Sequence, residues 1–125
     1  MQVLISGASG FVGAALVQAL VQRGHSTRSI SRRPGGDHDW STASLERGVA
    51  WADAVVHLAG ENLFAKRWDP AFKQELWRSR YESTRQLAQL IAKRPNCIWV
   101  SASASGIYGD GGSEVLDESS TIGTG

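Results

Sequence analysis

Residues Gly7-Ala8-Ser9-Gly10-Phe11-Val12-Gly13 decide how the rest of the chain is read. Ahead of them, Val3-Leu4-Ile5 is a short apolar run, the pattern of a parallel strand buried on both faces. Behind them, Ala14, Leu16, Val17, Leu20 and Val21 recur at helical spacing as far as Gly24, a natural C-terminal stop. Strand, glycine turn and helix in that order open a βαβ unit of the kind that holds a dinucleotide. Gly7 lets the chain turn sharply off the strand, Gly10 lets the backbone approach a pyrophosphate, and Gly13 lets the helix pack closely on the strand. The helix start adds N–H groups and partial positive charge for the anion. Together with Ser9, Phe11 and Val12, these glycines are the first candidate cofactor contacts. A glycine-rich turn with no ligand is the plainer alternative.

Composition sets the outer limits. A chain of 125 residues suits a single domain, 1–125, and 42% hydrophobic with 20% charged residues is enough for a core and argues against disorder. A net charge of +1 points neither to a nucleic-acid surface nor to an acidic tail. The single cysteine, Cys97, excludes an internal disulfide and fits a reducing compartment. The N-terminus lacks a basic stretch followed by a long apolar run, so neither secretion nor a membrane is expected, and the expected compartment is the cytoplasm. His25, His38 and His57 are scattered, so no metal site is expected. Of five tryptophans, Trp51 and Trp99 read as core. Trp40, Trp68 and Trp77 lie among polar residues, and line a cleft or partner surface or are simply part-buried.

Beyond Gly24, His25 to Ser31 reads as the second strand, with Thr27 and Ile30 inside it. Its end carries Ser31-Arg32-Arg33 and no carboxylate before Asp37. An acid at this point takes ribose hydroxyls in NAD sites, whereas an arginine accepts a 2′-phosphate through charge-assisted hydrogen bonds. The reading is therefore NADP over NAD, against the alternative of solvated charges before the turn Pro34-Gly35-Gly36. A brief third strand is placed near His38 to Trp40, and a short helix in Ser44 to Trp51. Ala54 to Leu58 is another buried strand, ended by Ala59-Gly60, small residues against which a flat cofactor can lie. His57 within it reads as a satisfied interior histidine. Glu61 to Trp68 reads as a loop with a basic pair, Lys66-Arg67. Asp69 as N-cap and Pro70 at the first position start a helix running to about Lys93 or Arg94, with Pro95 as the stop. Phe72, Leu76, Leu87, Leu90 and Ile91 form its apolar face, interrupted by Arg80, Ser83 and Thr84. Periodicity alone leaves two readings of that break: a ligand site or plain solvation. Cys97 to Val100 is the next strand, followed by Ser101-Ala102-Ser103-Ala104-Ser105-Gly106-Ile107-Tyr108-Gly109, which sets hydroxyls and a phenol beyond its end. Asp110 to Gly125 carries no further element.

These motifs resemble the extended short-chain dehydrogenase/reductases. More narrowly, Leu58-Ala59-Gly60-Glu61-Asn62, Arg67-Trp68, Ser79-Arg80, Thr84 and Ser101-Ala102-Ser103-Ala104 resemble the atypical subfamily of NAD(P)-dependent, sugar-nucleotide-epimerase-like proteins. The resemblance implies an α/β fold of the Rossmann type, a doubly wound parallel sheet. It implies cofactor contacts from the glycine loop, from Ser31 and Arg32 at the adenosine phosphate, from Leu58, Ala59 and Gly60, and from Glu75 and Arg80 near the nicotinamide half. Arg80 stands where many extended members carry asparagine, which turns the reading of the helix break toward function. Ser103 matches the family serine, and Tyr108 is the candidate proton donor. Neither tyrosine, Tyr81 or Tyr108, has the lysine four residues on that the superfamily uses to lower the phenol pKa. Members are more than twice this length, so the ending at Thr124-Gly125 reads as truncation before the last strands and the substrate-binding lobe. The expectation is an NADP-dependent oxidoreductase or epimerase-like enzyme acting on a small molecule, a sugar nucleotide or carbonyl compound, with the piece alone inactive. The alternatives are a non-catalytic NADP-binding regulator, or a fragment that pairs its exposed sheet edge with a second copy.

Overall fold

A computed structural model describes residues 1–60 and 67–123. Among these residues four strands form one parallel sheet: β1 (Gln2–Ser6), β2 (Ser26–Ile30), β3 (Ala54–His57) and β4 (Ile98–Ser101), in the order β2-β1-β3-β4. Three helices connect them: α1 (Phe11–Gln22), α2 (Thr42–Trp51) and α3 (Pro70–Ile91). This is a Rossmann-type α/β fold.

Alternation along β1 explains the layering. Val3 and Ile5 pack with Ala54 against Leu16, Val17 and Leu20 of α1. Leu4 points the other way, into a cluster with Ile30, Leu45, Val49, Val55, Leu87 and Ile91 beneath α2 and α3. Both faces of β1 are thus covered, which is why its apolar run is uninterrupted. Leu4, Leu45, Val55 and Leu87 are wholly buried. Each contributes about 1.5–3 kcal/mol relative to an exposed position. Trp51, Trp99 and Trp40 are partly buried and pack against this same cluster.

The expected third strand is a single parallel bridge, Ile30 with His38. The helix after it begins at Thr42, two residues earlier than expected, because Ser41 caps it and is itself held by Asp39. Asp69 caps α3, accepting from Phe72 N at 2.7 Å. That helix ends at Ile91, and the last turn is Arg94 N donating to Ile91 O. Residues 110–123 contain turns but no helix or strand, while Ser105–Tyr108 form one 3-10 turn that periodicity did not indicate. Of the expected loop from Glu61 to Trp68, residues 61–66 lie outside the described residues.

Arg94 ties the second layer together. Its Nη1 donates to Val49 O at 2.6 Å and Ala50 O at 2.7 Å, and its Nη2 to Ala52 O at 3.2 Å. These carbonyls cluster at the end of α2, where a cation also meets the negative end of the helix dipole. Arg94→Ala is expected to lower stability by about 1.5–3 kcal/mol. Arg94→Lys recovers only part of it, since one ammonium cannot span three carbonyls. Urea denaturation of the two variants checks this.

Candidate functional site

At the C-terminal edge of the sheet, β1 turns into α1 through the glycine loop. Gly7 takes φ +76°, and a Cβ there would lie 2.9 Å from Ala59 N, so the loop presses against the end of β3. Gly13 is tighter still: a Cβ would sit 2.0 Å from Gly7 O. Gly10 caps α1 with extended backbone, its N–H donating to Gly7 O at 3.0 Å. It brings no side chain to the first turn, so that helix end has no side-chain cap. Phe11 is 98% exposed. The corner therefore offers an uncapped helix start and open backbone to an anion.

A groove of about 820 Å³ runs from this corner across the sheet edge. Its lining takes in Ser31, Arg32 and Arg33 after β2, Leu58, Ala59 and Gly60 after β3, and Gly7, Ser9 and Gly10 after β1, the strand between those two. A second cavity of about 360 Å³ adjoins it, lined by Glu75, Gln74 and Ser79 of α3 and sharing Arg32, Trp40, Ala59 and Gly60 with the groove. Trp40 is thus a cleft tryptophan, whereas Trp68 and Trp77 are exposed. Arg80 lies over Gly60, where a Cβ would come within 3.0 Å of its Cζ. Phe11 and Val12 stand at the start of α1, with Gly13 buried behind them. Ser103 is exposed, two residues past the end of β4, and Tyr108 closes the 3-10 turn. Neither lines the groove or the cavity.

Beneath the groove floor sits a polar chain that periodicity did not reveal. His57 is 3% exposed, with Trp40 and Trp99 each 6.0 Å away between ring centroids. Its Nδ1 lies 2.5 Å from Ser6 Oγ, and its Nε2 is 3.0 Å from Thr84 Oγ1 and 3.2 Å from Ser83 Oγ. Ser6 Oγ also accepts from Ala59 N at 3.3 Å. The hydroxyls of Thr84 and Ser83 donate to Arg80 O and Ser79 O, at 2.6 and 2.5 Å. Their oxygens are left as acceptors for Nε2–H, so Ser6 donates to Nδ1 and the ring is the neutral Nε2–H tautomer. Burial pushes its pKa below the ordinary 6.5. His57 is the satisfied interior histidine the strand pattern suggested. Ser83 and Thr84, two of the three polar interruptions in α3, serve it. Ser83 also lines the smaller cavity, while Arg80 lines neither space and instead sets its guanidinium against Gly60, which lines both.

Among the described residues no group of three or more His, Cys, Asp or Glu could hold a metal, and no helix is long and apolar enough to cross a membrane. Ser6 was missed from the sequence, although a small polar residue closing an apolar strand was the available signal. Ser29 and Asp37, also on the groove wall, gave no such signal.

A glycine corner feeding a groove at the carboxyl edge of a parallel sheet defines the class of Rossmann-type dinucleotide folds. Residues 3–124 match the model of the NAD dependent epimerase/dehydratase family, and the chain belongs to that family. It is 46% identical over 101 residues to the epimerase family protein SDR39U1 of Bos taurus, covering 76% of this chain and 33% of that one. Among solved structures it resembles human epimerase family protein SDR39U1 (isoform 2) with NADPH, at TM-score 0.72 and 38% identity, covering 86% of this chain and 38% of that one. It also resembles the nucleoside-diphosphate sugar epimerase from Corynebacterium glutamicum, at TM-score 0.77 and 35% identity, covering 98% and 27%. The chain therefore spans about a third of the length of these relatives.

Proposed function

We propose that residues 1–125 are the nucleotide-binding domain of an NADP-dependent oxidoreductase or epimerase-like enzyme whose substrate is a small molecule such as a sugar nucleotide or carbonyl compound. The carrying observation is the single groove that joins the uncapped start of α1 to Arg32 over a floor of Gly7, Gly10, Ala59 and Gly60. The diphosphate lies on the Gly7–Gly13 corner, where helix amides meet it and Gly10 adds no Cβ. Ser31 and Arg32 take the 2′-phosphate, and Leu58, Ala59 and Gly60 lie under the adenosine. Glu75 and Arg80 are the contacts from α3. The NADPH-bound human relative supports the preference for the phosphorylated cofactor.

When bound, the dinucleotide supplies hydride transfer at its nicotinamide ring. The chain's own part is to hold the diphosphate and ribose while Ser103, beyond the end of β4, positions the reacting oxygen. Tyr108 is the proposed proton partner. These two roles rest on the resemblance of the serine-rich segment alone.

Titration with NADPH and NADH tests the reading. Arg32→Ala should weaken NADPH by roughly 1.5–3 kcal/mol, or about 10- to 150-fold, and leave NADH nearly unchanged. Equal losses for both cofactors would remove 2′-phosphate recognition from this loop.

A further inference from the structure

Residues 31–36 form a closed arch between the end of β2 and the His38 bridge. His38 N donates to Ser29 O and Ser31 N donates to His38 O, both at 2.9 Å. Across the same base, Asp37 Oδ2 accepts from Ser29 N at 2.7 Å and from Ser29 Oγ at 3.1 Å, and Asp37 N lies 3.3 Å from Ser29 Oγ. The crown is tight as well. Arg33 N donates to Ser31 Oγ at 3.0 Å, and a Cβ on Gly36 would lie 2.7 Å from Ser31 Cβ. One carboxylate therefore does what a neighbouring strand would do, taking the outward N–H of Ser29 and closing the arch that carries Arg32 and Arg33 into the groove.

We infer that Asp37 is a positioning residue for cofactor choice: it braces the Ser31–Gly36 arch so that Arg32 meets a 2′-phosphate, and does not itself bind ribose. This rests on the NADP reading above. An acid on a groove that must accept a phosphate is otherwise a liability, because its charge repels the anion. Here the shared oxygen faces the backbone and hydroxyl of Ser29. The Ser29 N–H holds the carboxyl below the usual aspartate range, so the clasp stays ionised at neutral pH.

The experiment is NADPH and NADH titration of Asp37→Ala, Asp37→Asn, Arg32→Ala and the Arg32→Ala/Asp37→Ala pair, by quenching of protein fluorescence. Asp37→Ala should weaken NADPH roughly tenfold with NADH nearly unchanged, as expected for one lost charged hydrogen-bond set. Asp37→Asn keeps a carbonyl acceptor for Ser29 N and should restore most of that loss. In the Arg32→Ala background, Asp37→Ala should cost NADPH nothing further. Tighter NADPH binding by Asp37→Ala would show repulsion instead, and weaker NADH binding would show a ribose contact. Either result overturns the inference. Equal losses of both cofactors in Arg32→Ala would overturn the 2′-phosphate reading itself. A selective NADPH loss in Arg32→Ala, with none in Asp37→Ala, would overturn only the role of Asp37.

Discussion

Gly13→Ala should unseat α1 from the sheet and abolish dinucleotide binding together. The added methyl would stand 2.0 Å from Gly7 O and 2.9 Å from Ala8 Cα, both backbone atoms. No rotamer change relieves such a contact, so the corner itself must open. Overpacking ordinarily costs about 1–3 kcal/mol, and a backbone collision belongs at or above the top of that range. A loss of about 3 kcal/mol or more in urea denaturation is the expected result. Gly10→Ala separates packing from ligand access. Its methyl meets only Gly7 O, at 3.3 Å, so the fold should survive while approach of the diphosphate is obstructed. Wild-type stability in Gly13→Ala would mean that the corner is not the rigid element described.

His57→Ala is the second large effect. The truncation empties a site that is 3% exposed and removes the partner of Ser6, Ser83 and Thr84 at once. A cavity plus a stranded buried hydroxyl amounts to about 2–4 kcal/mol. His57→Asn keeps an acceptor near Ser6 and should lose less. The same histidine gives wild-type protein a pH dependence. Its folded pKa lies below the unfolded 6.5, so the unfolded chain binds the extra proton first as pH falls. Stability should be flat above 6.5, and decline below it down to the depressed folded value. Denaturation series in neutral and mildly acid buffer test this, with His57→Asn expected to show a shallower decline.

How much of this was legible in the sequence depends on whether the signal is local. Val3-Leu4-Ile5 and Ala54 to Leu58 could be read as strands because a parallel strand covered on both faces needs no polar alternation. Asp69-Pro70 announced a helix because capping is settled within four residues. The glycine corner was readable for the same reason. The third strand was not, because the outward N–H of Ser29 is taken by the Asp37 side chain and only one bridge forms. Arg94 looked like the last residue of α3, yet its guanidinium closes α2 from more than 40 residues away. Ser83 and Thr84 looked like a gap in an apolar stripe. Their reason is His57, 26 and 27 residues distant, and only the fold brings them together.

The strand order β2-β1-β3-β4 has a consequence for how the molecule assembles. Among the described residues β1 is interior, and each of the following three strands adds to an edge that already exists: β2 on one side, then β3 on the other, then β4 outside it. None of these four strands has to wedge between two that are already paired. These four strands can therefore accrete outward from β1, each helix sealing a face as the next strand arrives.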